Sequence, residues 1–565
     1  MSTLSTDVLI VGGGGAGLRA AVSAAEQNVD VILVNKGMIT RSGITPTAEF
    51  GILGQVDICP GDSKEELYND IIRVGYQLSD QNLVNVYVRD IRKRILELES
   101  YGCPFRKNKD GKFFQYIVPG EKYPRNLSIK GGGYSLLLAL EKEALKYPNV
   151  KLISDLLITR LLTKDGNIVG AVGYDFKHGG LVTIVSKSVI ITTGGYERLW
   201  PVTDCPPGAT GDGQVLAFDA GAELVDLEMV LHYPSVIIWP KSVSGLIVPY
   251  EYLDEESFFG GEITNSKGKS VLGRPLPTRE LACRLIEKEI QEGHPSPHGG
   301  VYWDITHSPK SESEIIRIFR ESGDQLREYV KTVGKIDVIK TPIEVAPASH
   351  FQLGGIRINE KCETNVRGLY AAGEGAGNLL GANRMAGNGL APTQVFGAIA
   401  GESAAKFIKG TAAPTVPERQ VREESDRIFN LFQCKERKVR PKEIQEELCN
   451  IMNRYVGMEI TEDGLEKAIR AIEELKEKMV PKLGVPDVKV YNMELFEAFE
   501  IMSNLDLAIL VAKSARSRKE SRGHFYRSDY PNQDDKNFLK HTIVKKDGTI
   551  VCTLAFPVTE PYRME

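Results

Sequence analysis

The sequence predicts an α/β fold interrupted by an inserted domain and closed by a helical one, and three observations carry that prediction. Residues 6–12, TDVLIVG, are a short apolar, β-branched run that passes through the glycine block 12–17 into the helical pattern LRAAVSAAEQ. A second apolar run, VDVILVN at 29–35, follows one helix later, so the order is strand, tight turn, helix, strand: a βαβ unit with a right-handed crossover. Residues 226–345 have another texture, with aromatics, prolines and loop residues (HYPSVIIWP, YEYLDEESFFGG) before helical RELACRLIEKEI and IIRIFRESGDQLREYVK. From 411 onward the chain turns charged, with apolar positions three or four apart (ERQVREESDRIFNLF, LEKAIRAIEELKEKM), as amphipathic helices require.

The first element carries the most specific signal. In VLIVGGGGAGLRAA, Gly12, Gly14 and Gly17 satisfy G-x-G-x-x-G directly after a strand and directly before a helix. The first glycine permits the turn, the second lets a pyrophosphate touch the backbone, and the third lets the helix pack on the strand with the phosphate charge at its N-terminus. A dinucleotide is therefore expected here. The second strand ends in Asn35 and Lys36, where many such folds place an acidic residue against the ribose. Two later apolar runs, KSVIITTGG at 187–195 and RGLYAAGEGAG at 367–377, also end in glycines, which marks backbone that approaches a ligand closely. NAD alone does not need that second approach, whereas FAD, whose isoalloxazine must reach across the domain, explains it. Glu374 is the carboxylate expected against the cofactor. The predicted fold class is thus α/β: a Rossmann-like FAD-binding domain (1–225 and 346–410), an inserted α+β capping domain (226–345) and a C-terminal helical domain (411–565).

Composition limits the remaining possibilities. At 565 residues the chain exceeds one hydrophobic core, and about 150 residues per domain suggests roughly three or four domains meeting around clefts. A net charge of -5 without a clustered basic face argues against nucleic acid as a partner. No stretch approaches the ~18 apolar residues of a membrane span, and Met1–Thr6 lacks a signal-peptide pattern, so the cytoplasm is expected. Cysteines 59, 103, 205, 283, 362, 434, 449 and 552 are scattered, without C-x-x-C or paired histidine spacing. Reduced thiols and no metal site are expected.

Several blocks, in order, carry a resemblance along nearly the whole chain: GGGGAGLRAA, TRSG, TTGGY, ATGDG at 209–213, DLEMVLHYP at 226–234, HFQLGGI at 350–356, GLYAAGEGAG, GANRMAGNGL at 381–390 and RKESRGHFYRSDYPNQDD at 518–535. The chain resembles the flavoprotein subunits of succinate dehydrogenase and fumarate reductase, together with L-aspartate oxidase. The resemblance implies that Gly15, Ala16, Ser42, Gly43, Thr193, Gly194, Asp212, Asn388, Gly389 and Leu390 join the glycines, Asn35, Lys36 and Glu374 around FAD. It also implies that His232, His350 and Arg384 hold the carboxylates of a small dicarboxylate, the planar fork of arginine suiting bidentate contact. Arg279, in PTRELACR, matches the family's proton-delivering arginine. A free arginine stays protonated past about pH 12, so this role needs a relay-fed side chain. Without the family match, Arg279 reads as a solvated position on an amphipathic helix. The implied reaction passes a hydride between FAD N5 and one substrate carbon while Arg279 exchanges a proton with its neighbour, interconverting succinate and fumarate.

Two departures bear on chemistry. Members with covalent flavin carry a histidine in R-S-H-T, whereas Arg41-Ser42-Gly43-Ile44 offers none, so non-covalent FAD is expected. Members handling fumarate carry a Thr-Glu pair where this chain reads Gly245 to Glu251, and H-P-T becomes His232-Tyr233-Pro234, which brings a bulky aromatic near the site. Glu251 after a one-residue shift, or the Tyr250 hydroxyl, is the available replacement. A different small anion, such as aspartate, adenylylsulfate or another unsaturated carboxylate, is the second reading, and an electron-transfer subunit with a vestigial pocket the third. Lacking iron–sulfur or haem ligands of its own, the chain is expected to work with an iron–sulfur subunit. Contact with the inner face of a membrane would be indirect, through an anchor subunit. Ser517–Arg527 is similar to the family's segment near flavin and interface, and as a plain charge run would be a solvated face.

Overall fold

The computed structural model describes residues 2–554 except 49–50, 58, 119, 257, 323–325 and 434–438. The strand Ser2–Val11 lies inside a seven-stranded sheet, in parallel between Val31–Val34 and Gly180–Ile191. Val150–Ile153 continues the first side in parallel. The other edge of Gly180–Ile191 is divided: its first half takes the antiparallel meander Leu156–Lys164 and Asn167–Asp175, and its last residues take the parallel strand Leu369–Ala371. Val8–Ile10 and Val31–Val34 are buried throughout, as strands covered on both faces must be. In register, Val11 lies beside Val34 and Ile191, and Ile191 beside Ala371. Four strands therefore end on one side, where open α/β sheets receive their ligands.

The helix Gly15–Ala25, buried along its whole length, packs on the helix Ala391–Phe407. The approach is close because of glycine: a Cβ at Gly397 would lie 2.6 Å from Ala16 O, and one at Gly401 2.3 Å from Ala20 O. The N-terminus of Ala391–Phe407 is thereby carried up to the glycine loop.

A second apolar core, around Val236, Phe259, Trp303, Phe319 and Val345, belongs to a four-stranded antiparallel sheet of Val230–Trp239, Ile343–Gln352, Val301–Asp304 and Glu262–Thr264. Arg279–Gln291 packs on the two long strands. Those strands serve both cores: Leu231 and Phe351 sit in the large one, Tyr233, Val236, Val345 and Ala348 in the small one. The helices Glu418–Gln433, Pro441–Tyr455, Glu462–Met479 and Met493–Ser517 share the large core through Ile428, Leu448, Ile472 and Leu505. The C-terminal part is not helical throughout. It closes with a hairpin, Lys540–Val544 and Ile550–Leu554, turned at Asp547-Gly548 and paired to Leu224–Val225.

Among the described residues no helix is long and apolar enough to cross a membrane. Cys59, Cys103, Cys205, Cys283, Cys362 and Cys449 are free thiols. Cys434 and the side chain of Cys552 lie outside the described residues.

Candidate active site

The glycine loop leaves the sheet at Gly12, whose φ of 113° and close approach to Thr192 O (2.3 Å from a Cβ) exclude other side chains. A Cβ at Gly17 would stand 1.8 Å from Gly12 O, so the first turn of the helix can fold back against the loop only with glycine there. Beyond the turn, Gly13 N donates to Asn35 Oδ1 at 2.9 Å and Gly15 N to Thr45 Oγ1 at 3.2 Å. Asn35 Nδ2 donates in turn to Ser42 Oγ at 2.9 Å. Asn35 thus ties the loop to Ser42, while Gly43, with φ of 86°, has nothing within 4 Å of a Cβ.

Glycines keep space open on the opposite wall. Gly194 has φ of 83° with only Ile44 within 4 Å of a Cβ, and its carbonyl accepts from Gln214 Nε2 at 2.9 Å. Thr193 Oγ1, Gln214 Oε1, Gln394 Oε1 and both side-chain polar atoms of Gln352 are shut off from solvent without a partner. Native proteins rarely leave such groups unpaired. Their placement around the loop, the strand ends and the N-terminus of Ala391–Phe407 fits a long, polar, phosphate-bearing cofactor. Ala16 and Leu390 are buried on the two helices that meet at the loop, and Asn388 Oδ1 accepts from Tyr87 OH at 2.7 Å.

Glu374, in the turn Gly373–Gly375, accepts from Gln352 N at 3.0 Å and faces Glu197. Burial pushes both carboxyls up, and the neighbouring Glu374 charge raises Glu197 further. Lys36 and Asp212 meet each other: Lys36 Nζ donates to Thr210 Oγ1 at 2.8 Å, Asp212 Oδ1 at 3.3 Å and Glu500 Oε1 at 2.7 Å. Glu500 comes from Met493–Ser517, so this cluster pins the second strand to the C-terminal helices.

Against this cradle stands a cationic pocket. His350 Nδ1 donates to Asp204 Oδ2 at 2.7 Å, which leaves Nε2 to accept from Arg384 Nη2 at 3.0 Å. Burial holds the His350 pKa below its ordinary value against the pull of Asp204. Arg384 lies over the Phe351 ring at 4.2 Å, and its Nε, closed to solvent, has no partner. Burial, with the nearby positive charge of Arg279, pushes the Arg384 pKa down to about 10. A Cβ at Gly389 would come within 3.8 Å of that guanidinium.

Arg279 opens the helix Arg279–Gln291, at the positive end of its dipole, and donates from Nη2 to Glu251 Oε1 at 3.1 Å. Glu251 more than offsets the cost of burial and raises the Arg279 pKa. Tyr233 OH donates to Glu251 Oε2 at 2.6 Å, and Arg279 lies 4.9 Å from the centre of the Tyr233 ring. Of the two candidates at the altered Thr-Glu stretch, Glu251 holds Arg279, while Tyr250 OH reaches Pro277 O at 3.5 Å.

His232 makes none of these contacts. Its ring lies edge-on to Trp200 at 6.3 Å and 6.4 Å from the His524 ring. Burial, then the His350 charge, lowers its pKa to about 4. His524 Nδ1 accepts from His232 N at 3.4 Å, so its own proton sits on Nε2, which has no partner. The charged run 517–527 is not a solvated face. Arg518, Arg522 and Arg527 are buried, with Arg518 on Glu228 and Glu520 and Arg522 on Glu520 and Asp535. Asp204, Glu197, Thr45 and Gln394 were not singled out from sequence, because none stands in a spacing that announces chemistry, and His524 lay in the 518–535 block without a role of its own.

A model described as FAD binding domain matches residues 7–390, and one described as fumarate reductase flavoprotein C-term matches 445–561. The chain is 36% identical over 533 residues to a fumarate reductase (CoM/CoB) subunit of Methanothermobacter marburgensis, covering 93% of this chain and 94% of that one. It is 34% identical over 563 residues to the 8-methylmenaquinol:fumarate reductase flavoprotein subunit of Wolinella succinogenes, covering 96% and 89%. Mycobacterium smegmatis Sdh1 in complex with UQ1 superposes with a TM-score of 0.92 at 29% identity, over 100% of this chain and 96% of that one. An adenosine-5-phosphosulfate reductase shares the fold at a TM-score of 0.81 and 21% identity, over 100% of this chain and 97% of that one. With these matches laid on the glycine cradle and the cationic pocket, the chain belongs to the fumarate reductase and succinate dehydrogenase flavoprotein family of FAD-dependent oxidoreductases.

Proposed function

We propose that this chain interconverts fumarate and succinate, as the flavoprotein subunit of a complex in which an iron–sulfur subunit carries the electrons. The observation that carries the reading is the convergence of two recessed guanidiniums beside His350, Arg384 without a carboxylate partner among the described residues and Arg279 held by one. Two guanidiniums recessed together, one of them without a carboxylate, form a site suited to receive an anion.

Bound FAD supplies or accepts the electron pair as a hydride. Arg384 turns its fork from His350 to one substrate carboxylate, and His350 stays oriented by Asp204. Arg279 gives its proton to the carbon next to the one that receives hydride, and Glu251, part-exposed, takes up a proton from solvent and passes it to Arg279. The pocket walls of Phe351, Tyr233 and Tyr250 exclude water, so the positive charges act at full strength. Flavin held without a covalent bond, and contact with a membrane only through partner subunits, complete the reading. The aromatic pair Tyr233 and Tyr250 favours a second reading, a different small unsaturated carboxylate.

Because the M. marburgensis relative has CoM/CoB in its name and the W. succinogenes one a menaquinol, the test uses an artificial donor. Reduced viologen is expected to be oxidised in the presence of fumarate and not of aspartate or adenylylsulfate. The absence of fumarate-dependent oxidation overturns the reading. Arg279→Gln should lose about 10²–10⁴-fold in kcat while keeping its FAD, the range expected for a removed general acid.

A further inference from the structure

Tyr233 follows His232 in the stretch that departs from the family's H-P-T triplet, and the structure gives it more than a packing role. It is carried by Val230–Trp239, opposite Ala348, with irregular register on both sides (Leu231/His232 and Tyr233/Val236). Its ring is 4% exposed, 5.4 Å from the His350 ring and 6.2 Å from that of Tyr250. Its hydroxyl takes one oxygen of Glu251 at 2.6 Å while Arg279 takes the other at 3.1 Å. Arg279 closes the loop by lying over the same tyrosine ring at 4.9 Å. Each of the three side chains thus touches the other two.

Glu251 belongs to a single short turn, Tyr250–Leu253, and a glutamate there has several rotamers of similar energy. A tyrosine has two torsions and costs little entropy to immobilise. One hydrogen bond from an immobile phenol therefore selects, among the rotamers of Glu251, the one that seats Arg279. Burial, then the Glu251 charge, keeps the Tyr233 phenol protonated, so it remains a donor at any working pH.

We infer that Tyr233 is a positioning residue for proton delivery: its hydroxyl fixes Glu251 so that the other carboxylate oxygen aims Arg279 at the substrate carbon. The inference rests on the proton role proposed for Arg279. It assigns to the aromatic that departs from the family pattern a part in the chemical step, through its hydroxyl, beside the ring's place in the pocket wall.

The test is Tyr233→Phe, which keeps the ring and its contact with Arg279 and removes one hydroxyl. With reduced viologen and fumarate, kcat should fall about tenfold, KM should stay within about twofold, and FAD content and melting temperature should be unchanged. In a double-mutant cycle, Tyr233→Phe should cost nothing further in a Glu251→Gln background, because both changes break one unit. A wild-type kcat, a rise in KM alone, or independent effects in the cycle overturns the inference. If the wild-type protein does not turn over fumarate, the functional reading fails by itself. The crystal structure of the flavin-loaded Tyr233→Phe variant then decides this point: Arg279 displaced from Glu251 supports positioning, and Arg279 unmoved sinks it.

Discussion

Buried histidines show how one residue type can pull stability in opposite directions with pH. His232 is 6% exposed, and its pKa falls from 6.5 to about 4, so the folded protein stays neutral there while the unfolded chain takes up a proton. Its contribution is complete above pH 6.5 and is lost as pH falls toward 4, a change of about 3 kcal/mol at ~1.4 kcal/mol per pH unit. His541 works the other way. Burial pulls its pKa down, but Asp226, 2.6 Å from Nδ1, outweighs that and raises it. Its contribution is present below the unfolded value and is lost as pH rises through the raised one. Urea unfolding of His232→Gln at a series of pH values should show a flatter acid limb than wild type between pH 6.5 and 4; parallel curves would contradict the assignment. His350, Arg279 and Arg384 were legible in the sequence because each stands in a motif. Asp204 was not, since what makes it matter lies 146 positions away, at His350.

Among elements, the pairing of Gly15–Ala25 with Ala391–Phe407 sets how close the cofactor cradle can form. Alanine is preferred to glycine by about 1 kcal/mol inside a helix. At Gly401 that preference loses, because a Cβ would meet Ala20 O at 2.3 Å and Ala24 N at 3.0 Å, backbone atoms that cannot rotate away. Gly401→Ala should destabilise by about 1–3 kcal/mol, the usual result of overpacking. Gly180→Ala, where nothing lies within 4 Å of a Cβ, is the control, and equal melting temperatures for the two variants would refute the packing argument. The βαβ unit was readable because strand, turn and helix are neighbours in sequence. The charged run at 517–527 was ambiguous because Glu228, the partner that buries Arg518, lies 290 positions earlier. The terminal hairpin was missed despite its Asp547-Gly548 signal, since the preceding helices set the pattern for the region.

Across the whole molecule, the cofactor cradle gathers the first strand, the strand ends at Ile191 and Ala371, the turn at Glu374 and the N-terminus of Ala391–Phe407, with the C-terminal helices pinned on through Lys36 and Glu500. A flavin that binds only the folded chain must stabilise all of it together. Acid precipitation should release the flavin into the supernatant, because Gly43 offers no side chain to bond it. Apoprotein titrated with FAD should melt at progressively higher temperature as a single transition. Colour retained on the precipitated polypeptide, or a transition indifferent to FAD, would count against the non-covalent cradle.

The two strands shared by the cores have a consequence for how this molecule can be taken apart. Val230–Trp239 and Ile343–Gln352 enter the small core and leave it while carrying His232, Tyr233 and His350 on the way. The cap is therefore no detachable module. Excising it between those strands would separate Arg384 from Arg279 and Glu251, and grafting it elsewhere would carry Arg279 and Glu251 away from Arg384 and the glycine loop. Exchanging side chains along these two strands and the loop at Glu251 alters the pocket with the connectivity of the chain left as it is.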